Sequence, residues 1–235
     1  MDTKSIRKHT ARFIARQCLM FVSWVVKILP LRFLYGFSRR MGVLGYWVLA
    51  KHRKIALDSL TRAFGKEKTG PEIEGIAKGC FVGIAKSGAE LLFYMDHPHQ
   101  INVRIGIAGR SHLDKALSRG KGVILVSAHF GNFPLMLDKL ADEGYAVNGI
   151  MRHMRDARIE KIFNEKREGF KVKTIYSQPR DVCVSQTIGA LRANELVFIP
   201  LDQNFGTAGV FVDFFGEKAA TATGPAVLAR RTGAS

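Results

Sequence analysis

Val123-Ile124-Leu125-Val126-Ser127-Ala128-His129-Phe130-Gly131-Asn132-Phe133-Pro134-Leu135 decides the fold class. A short apolar run, introduced by Lys121-Gly122, reads as a strand over 123–126 and opens into a polar loop. Residues 135–140 then take up helical spacing. The same rhythm repeats down the chain. Residues 145–151 read as strand, 159–167 as helix, 171–175 as strand, 182–192 as helix and 196–200 as strand. Alternation of this kind predicts an α/β fold with a central, largely parallel or mixed sheet flanked by helices. Sites in such sheets lie at the strand C-termini, where both His129 and Asp202 emerge.

Upstream the texture is helical, through most of 5–60 and again over 71–94. In the later segment Ile73, Ile76, Ala77, Cys80, Phe81, Ile84 and Ala85 recur at steps of three and four, which leaves Glu72, Glu74 and Lys78 for solvent. Pro71 suits a first helical turn. A chain of 235 residues without a Ser/Gly/Pro-rich linker buries a core unaided.

The formal charge of +16 is concentrated at one end. Residues 1–54 carry twelve Lys and Arg against Asp2 alone. Between these bases lie two apolar runs, 18–26 with Ser23 as its one polar residue, and 41–50. Nucleic-acid arms seldom carry so much apolar surface, whereas a segment that enters the headgroup region of an anionic bilayer requires it. Residues 1–50 are therefore expected to form a basic, apolar helical region that associates with a membrane. Neither run reaches the ~20 residues of a plain spanning helix, although 13–34 would cross if Arg16, Lys27 and Arg32 snorkelled. A pair of core helices with basic outer faces remains the alternative. Cys18, Cys80 and Cys183 show neither CxxC spacing nor even number, so a disulfide framework and structural zinc are not expected, and small core positions are.

Two further stretches invite a role. Gly209-Val210-Phe211-Val212-Asp213-Phe214-Phe215-Gly216 reads as a buried strand or as the lining of an acyl groove, core burial being expected for most of its residues. Ala219-Ala220-Thr221-Ala222-Thr223-Gly224-Pro225 reads as a helix start capped by Thr221 or Thr223. Its free amides suit a phosphate or a developing oxyanion.

Taken in order, these blocks resemble the bacterial lipid A biosynthesis acyltransferases, the lauroyl/myristoyl transferase family. The similarity is carried by Arg53-Lys54-Ile55-Ala56-Leu57-Asp58-Ser59-Leu60-Thr61-Arg62-Ala63-Phe64, by Val126-Ser127-Ala128-His129-Phe130-Gly131-Asn132 and by Met151-Arg152 with Asn164-Glu165-Lys166-Arg167-Glu168-Gly169. Most specific is Pro200-Leu201-Asp202-Gln203-Asn204-Phe205-Gly206, which leads into the Gly209 and Ala219 stretches. The resemblance covers residues from about 50 onward and implies an acyltransferase-like α/β domain over 51–235. That domain is expected to be truncated, because the family continues for several elements beyond the residues that precede Ser235.

The implied chemistry moves a fatty acyl group from a thioester, on acyl carrier protein or coenzyme A, to a hydroxyl of a lipid A precursor or related lipid, without a metal or other cofactor. His129 would take the hydroxyl proton, since imidazole exchanges protons in both directions near neutrality. The family places Glu or Asp five residues after its histidine, and this chain has Pro134 there. Asp138, about 6 Å further along a helix axis, is too remote for direct help. Asp202, from another strand, is the expected substitute. The implied substrate contacts are Gly131 for close backbone approach, Asn132 for orientation, Arg152 for an acceptor phosphate, Phe211 and Phe214 for the acyl chain, and Thr221 and Thr223 for an anion. Partners are then an anionic membrane, a glycolipid or lysophospholipid acceptor and acyl carrier protein, with the protein on the cytoplasmic face of the inner membrane.

A non-catalytic lipid-binding descendant stays open because of Pro134. Nucleic-acid modules fare worse, for neither a zinc-finger nor an RNP pattern is present. The chain also has no GxGxxG, Walker A or GxSxG sequence, which disfavours nucleotide-dependent and serine-hydrolase chemistry.

Overall fold

The computed structural model describes residues 10, 13, 17, 20–26, 28–154, 156–167, 171–204, 206 and 209–235, with the side chains of 162 and 165–167 left outside the description. Most of the expected N-terminal helical region before residue 20, including Cys18, lies outside the described residues, as do Arg155, Glu168, Gly169 and Phe205. The chain divides into two units. One runs up to Asp96 and includes Asp213–Glu217; the other comprises His97–Val212 and Lys218–Ser235.

The first unit is helical. Residues 20–26 form helix, followed by α1 (Leu31–Val48), α2 (Ala50–Phe64) and α3 (Gly70–Asp96). Helix α1 buries Leu31, Leu34, Ser38, Gly42 and Tyr46, a single stripe at steps of three and four. That stripe packs on α3, and Gly42 makes the approach possible. A Cβ there would fall 2.5 Å from Val82 Cα and 2.9 Å from the Phe81 carbonyl oxygen. Nearby, the Tyr46 hydroxyl donates to Glu74 Oε1 at 3.2 Å and its ring meets Phe81 edge-on.

Helix α3 begins where its capping chemistry dictates. Glu72 Oε2 accepts both the amide and the hydroxyl of Thr69, each at 2.8 Å, the carboxylate half of a capping box. Those bonds, the backbone one foremost, hold the Glu72 carboxyl below its ordinary range. The apolar stripe expected along α3 is only partly internal. Ile73 and Ala77 are buried, but Cys80 and Ile84 are exposed, and burial resumes at Ala89 and Leu92 to Met95. A helix of 27 residues spans about 40 Å, too long for one neighbour to cover. Cys183 is half-buried, so neither described cysteine is the core residue expected.

The second unit is built on a parallel sheet. Two short helices, α4 (Gln100–Arg104) and α5 (Arg110–Leu117), which the sequence pattern did not announce, lead into it. Then follow β1 (Val123–Ser127), α6 (Phe133–Asp142), β2 (Val147–Met151), α7 (Ala157–Arg167), β3 (Val172–Tyr176), α8 (Arg180–Arg192) and β4 (Leu196–Pro200). Strand order is β1-β4-β2-β3 and every pairing in this sheet is parallel. Ser235 lies along the outer edge of β1, donating to Gly122 O at 3.1 Å and accepting from Ile124 N at 2.9 Å. Val123, Leu137, Leu140, Ala141, Val147, Leu196 and Phe198 form the core between sheet and α6. Helix α6 also buries Lys139, whose Nζ donates to Asn102 Oδ1 at 2.6 Å and Glu143 Oε1 at 2.5 Å.

Beyond the sheet, β5 (Val210–Phe214) and β6 (Glu217–Thr221) form a separate two-stranded ribbon, and α9 (Gly224–Thr232) closes the described chain. This corrects two expectations. All five residues of β5 are exposed rather than core, and the small-residue stretch from Ala219 is strand as far as Thr221. The two-residue turn is the reason for the second: Phe215 and Gly216 both have positive φ, 53° and 76°, the geometry that matches strand twist in a tight hairpin and returns the chain as β6. Among the described residues no helix is long and apolar enough to cross a membrane.

Both tryptophans, Trp24 and Trp47, belong to the first unit, so their fluorescence reports its unfolding. Gly42→Val is expected to lower stability in urea by about 1–3 kcal/mol, the usual cost of overpacking. Gly42→Ala should cost less.

Candidate active site

The register of β1 on β4 fixes the site. Val123 pairs with Leu196 and Ser127 with Pro200, a constant offset of 73 residues, and the Leu201 amide extends the ladder to Ser127 O at 2.9 Å. Two positions further on, the same offset sets His129 opposite Asp202. The bonds formed there are bidentate. Asp202 Oδ1 lies 2.8 Å from His129 Nδ1, and Oδ2 accepts the His129 backbone amide at 2.9 Å. Asp202 thus does more than fix its own turn.

Packing holds the same imidazole from another side. Its ring meets Phe133 edge-on at 5.1 Å, and Phe133 stacks on Phe198 of β4 at 5.5 Å and 7° between planes. Since Phe198 is a core residue, the ring is referenced to the sheet interior. The sequence reading missed Phe133 and Phe198; the aromatic directly before Pro134 was the available signal. Burial pushes the Asp202 carboxyl up, but the bonds from the His129 ring and amide, with further backbone donation, outweigh it and hold the group below its usual value. With Nδ1 engaged by the carboxylate, the neutral imidazole carries its proton there and presents Nε2 as an acceptor.

Pro134 falls in the first turn of α6, where its fixed φ is favourable and no amide is needed. Gly131, with φ of 58°, takes the left-handed turn that carries the loop toward that helix, and an added Cβ would meet nothing within 4 Å. Its requirement is therefore backbone conformation. Asn132 is the N-cap residue, without a side-chain capping bond. Asp138, set aside as too remote to help His129, is buried in α6, and the neighbouring Lys139 turns to Asn102 and Glu143.

The remaining candidates are spread along the chain. Arg152 is exposed one residue past β2. Phe211 and Phe214 are exposed on the ribbon. Thr221 ends β6, its hydroxyl directed to Ala219 O at 3.4 Å, and Thr223 is the N-cap of α9 without a capping bond from its side chain. Among the described residues no three His, Cys, Asp or Glu side chains gather as a metal site. Unanticipated by sequence is a second imidazole–carboxylate pair, His153 with Glu160, at the β2–β3 end of the sheet. A separation of seven residues between a loop and a helix follows no periodicity that would reveal it.

Comparison with known proteins supplies the lineage. The sequence profile of the bacterial lipid A biosynthesis acyltransferases matches residues 2–235. The chain belongs to that family. It is 32% identical over 133 residues to a phosphatidylinositol mannoside acyltransferase of Mycobacterium tuberculosis, the match covering 55% of this chain and 41% of the relative. It is also 28% identical over 146 residues to the phosphatidylinositol mannoside acyltransferase of Mycolicibacterium smegmatis, covering 60% and 46%. The matched region thus spans less than half the length of either relative.

The Asp202 geometry sets a pH-dependent expectation. A carboxyl lowered by folding stabilises in full above its unfolded value, near 4, and that contribution is lost as pH falls through the folded value. Asp202→Asn should therefore lower the thermal midpoint at pH 7, with the difference from the parent shrinking below about pH 4.

Proposed function

We propose that this chain transfers a fatty acyl group from a thioester to a hydroxyl of a glycolipid, with His129 as general base and Asp202 as the carboxylate that orients it. The observation that carries this reading is the two-bond grip of Asp202 on His129. Nε2 takes the acceptor proton as the hydroxyl oxygen attacks the thioester carbonyl. The tetrahedral adduct then collapses, the C–S bond breaks, and the departing thiolate recovers the proton from Nε2. The products are an ester and a thiol, with both side chains returned to their starting state. Asp202 stays ionised throughout and stabilises the transient imidazolium.

The acceptor is a lipid A precursor or a related glycolipid, and the relatives' names favour a phosphoinositide-type headgroup. The donor is an acyl carrier protein or coenzyme A thioester. Arg152 binds the acceptor phosphate through its planar fork, and Gly131 and Asn132 shape the loop against the thioester. Phe211 and Phe214 receive the acyl chain, while the amides beside Thr221 and Thr223 at the start of α9 receive an anion. The first unit attaches to the cytoplasmic face of an anionic inner membrane. Supporting that placement are the basic excess of residues 1–54 and the exposure of Leu44, Trp47, Val48, Leu49 and Ile55 around the α1–α2 junction.

His129→Ala should reduce acyl transfer at least about 10²-fold, followed as thioester consumption and product mass. Turnover within twofold of the parent removes His129 as the base. Asp202→Asn should lose most of the activity, while Pro134→Glu brings no gain in a folded protein. A rise with Pro134→Glu would instead mean that Asp202 does not fill the acidic role. Absence of turnover from the parent itself favours the lipid-binding descendant.

Trp47→Ser with Leu49→Ser should weaken co-sedimentation with vesicles containing phosphatidylglycerol, and raised salt should weaken it further. Equal binding by a folded double variant rejects this surface as the membrane contact.

A further inference from the structure

His153 stands two residues beyond β2, held at two points. Its Nδ1 lies 2.9 Å from Glu160 Oε1 of α7. One face of its ring lies flat on Tyr176, with 3.8 Å between centroids and 9° between planes. Tyr176 ends β3, directly opposite Met151 in the β2–β3 register, and its hydroxyl accepts from Asn164 Nδ2 at 3.3 Å. Each ring of the stack therefore has a polar partner that fixes its orientation. The His153 side chain nevertheless stays 56% exposed. With one face covered and Nδ1 engaged, the open surface is the outer face and the Nε2 edge.

Neither packing nor the proposed acyl transfer uses this stack, although it sits at the same C-terminal edge of the sheet as His129. Strand β4 separates β1 from β2, and at ~4.8 Å per strand the ends of β1 and β2 lie about 10 Å apart. A headgroup whose hydroxyl reacts at His129 would bring a further part of itself to His153.

We propose that His153, backed by Tyr176, is a stacking platform for a sugar ring of the acceptor headgroup. This rests on the reading of the acceptor as a glycolipid. A pyranose presents a flat C–H face to an aromatic ring and hydroxyls at its rim. Glu160 accepts the Nδ1 proton, so Nε2 is left as an acceptor for one of those hydroxyls. The same carboxylate, in contact with the ring, disfavours a polyphosphate at this point and so argues against the nucleotide end of coenzyme A as the occupant. Preorganisation by Glu160 and Asn164 lowers the ordering cost of a weak stacking contact.

The test uses saturation-transfer NMR on the whole chain, with methyl α-D-mannopyranoside and adenosine 3′,5′-bisphosphate as separate probes. The mannoside ring protons should receive saturation from the parent. His153→Ala should weaken mannoside affinity about fivefold or more, in line with the strength of aromatic stacking. His153→Tyr, which keeps a flat face, should retain affinity within about threefold. Circular dichroism establishes that each variant is folded. No mannoside binding by the parent, equal binding by parent and His153→Ala, or binding of the bisphosphate alone each overturns the platform. In a turnover arm with palmitoyl-coenzyme A, His153→Ala should lower the ratio of kcat/KM for phosphatidylinositol mannoside over monoacylglycerol by a similar factor, and an unchanged ratio overturns the proposal. If the parent acylates neither acceptor, the acyl-transfer reading fails while the NMR result still decides the platform.

Discussion

Parallel pairing of β1 with β4 is the constraint from which the rest of the candidate site follows. Once Val123 is set beside Leu196, the ladder carries Ser127 to Pro200, and a shift of one residue would turn the buried Val123 and the half-buried Leu125 away from the core. Two strands far apart in sequence therefore release their loops at the same height. The buried Val147, Leu196 and Val197 supply the apolar driving force for that arrangement, and α6 covers it through Leu137, Leu140 and Ala141. A polar pair at the sheet edge is thus positioned by an apolar core some residues away.

How much of this was legible in the sequence depends on whether the signal was local. The strands of the sheet are short apolar runs bounded by turn residues, and helices between them keep a 3.6 period, so their order and type could be read directly. His129 and Asp202 were legible because each directly follows such a run. Their contact was legible only as a possibility, since sheet order is set by which hydrophobic faces pack together and a local pattern does not contain it. The ribbon of β5 and β6 misled for the opposite reason. Phe211, Phe214 and Phe215 have the composition of a core strand, yet composition does not say whether a second layer covers them. Lys139 was equally opaque: an i, i+4 partner in Glu143 looks like an ordinary surface pair, and only the position of Asn102 on α4 accounts for a buried ammonium.

The two units differ in how they treat apolar surface. In the second, large aliphatic side chains are mostly enclosed by sheet and helix. In the first, Phe33, Leu44, Trp47, Val48, Leu49 and Ile55 remain exposed although α1 has a well-formed buried stripe on its other side. Cations are set over Trp47 of this surface and over the buried Tyr46 beside it, Arg53 and Lys78 each lying near both rings. Arg53 is further anchored by the carbonyls of Tyr46 and Trp47 at the end of α1. Such contacts keep an exposed indole in a defined pose, which a merely solvated surface does not require.

The grip of Asp202 on His129 joins a ring to a peptide plane. One oxygen holds Nδ1 and the other holds the amide of the same residue, so the carboxylate acts as a rigid yoke between side chain and main chain. A twist of the loop that turns the amide also shifts the carboxylate that holds the imidazole, so the ring and the peptide plane are displaced together. Proton-accepting geometry at Nε2 is then coupled to the main chain of the loop through one shared anchor.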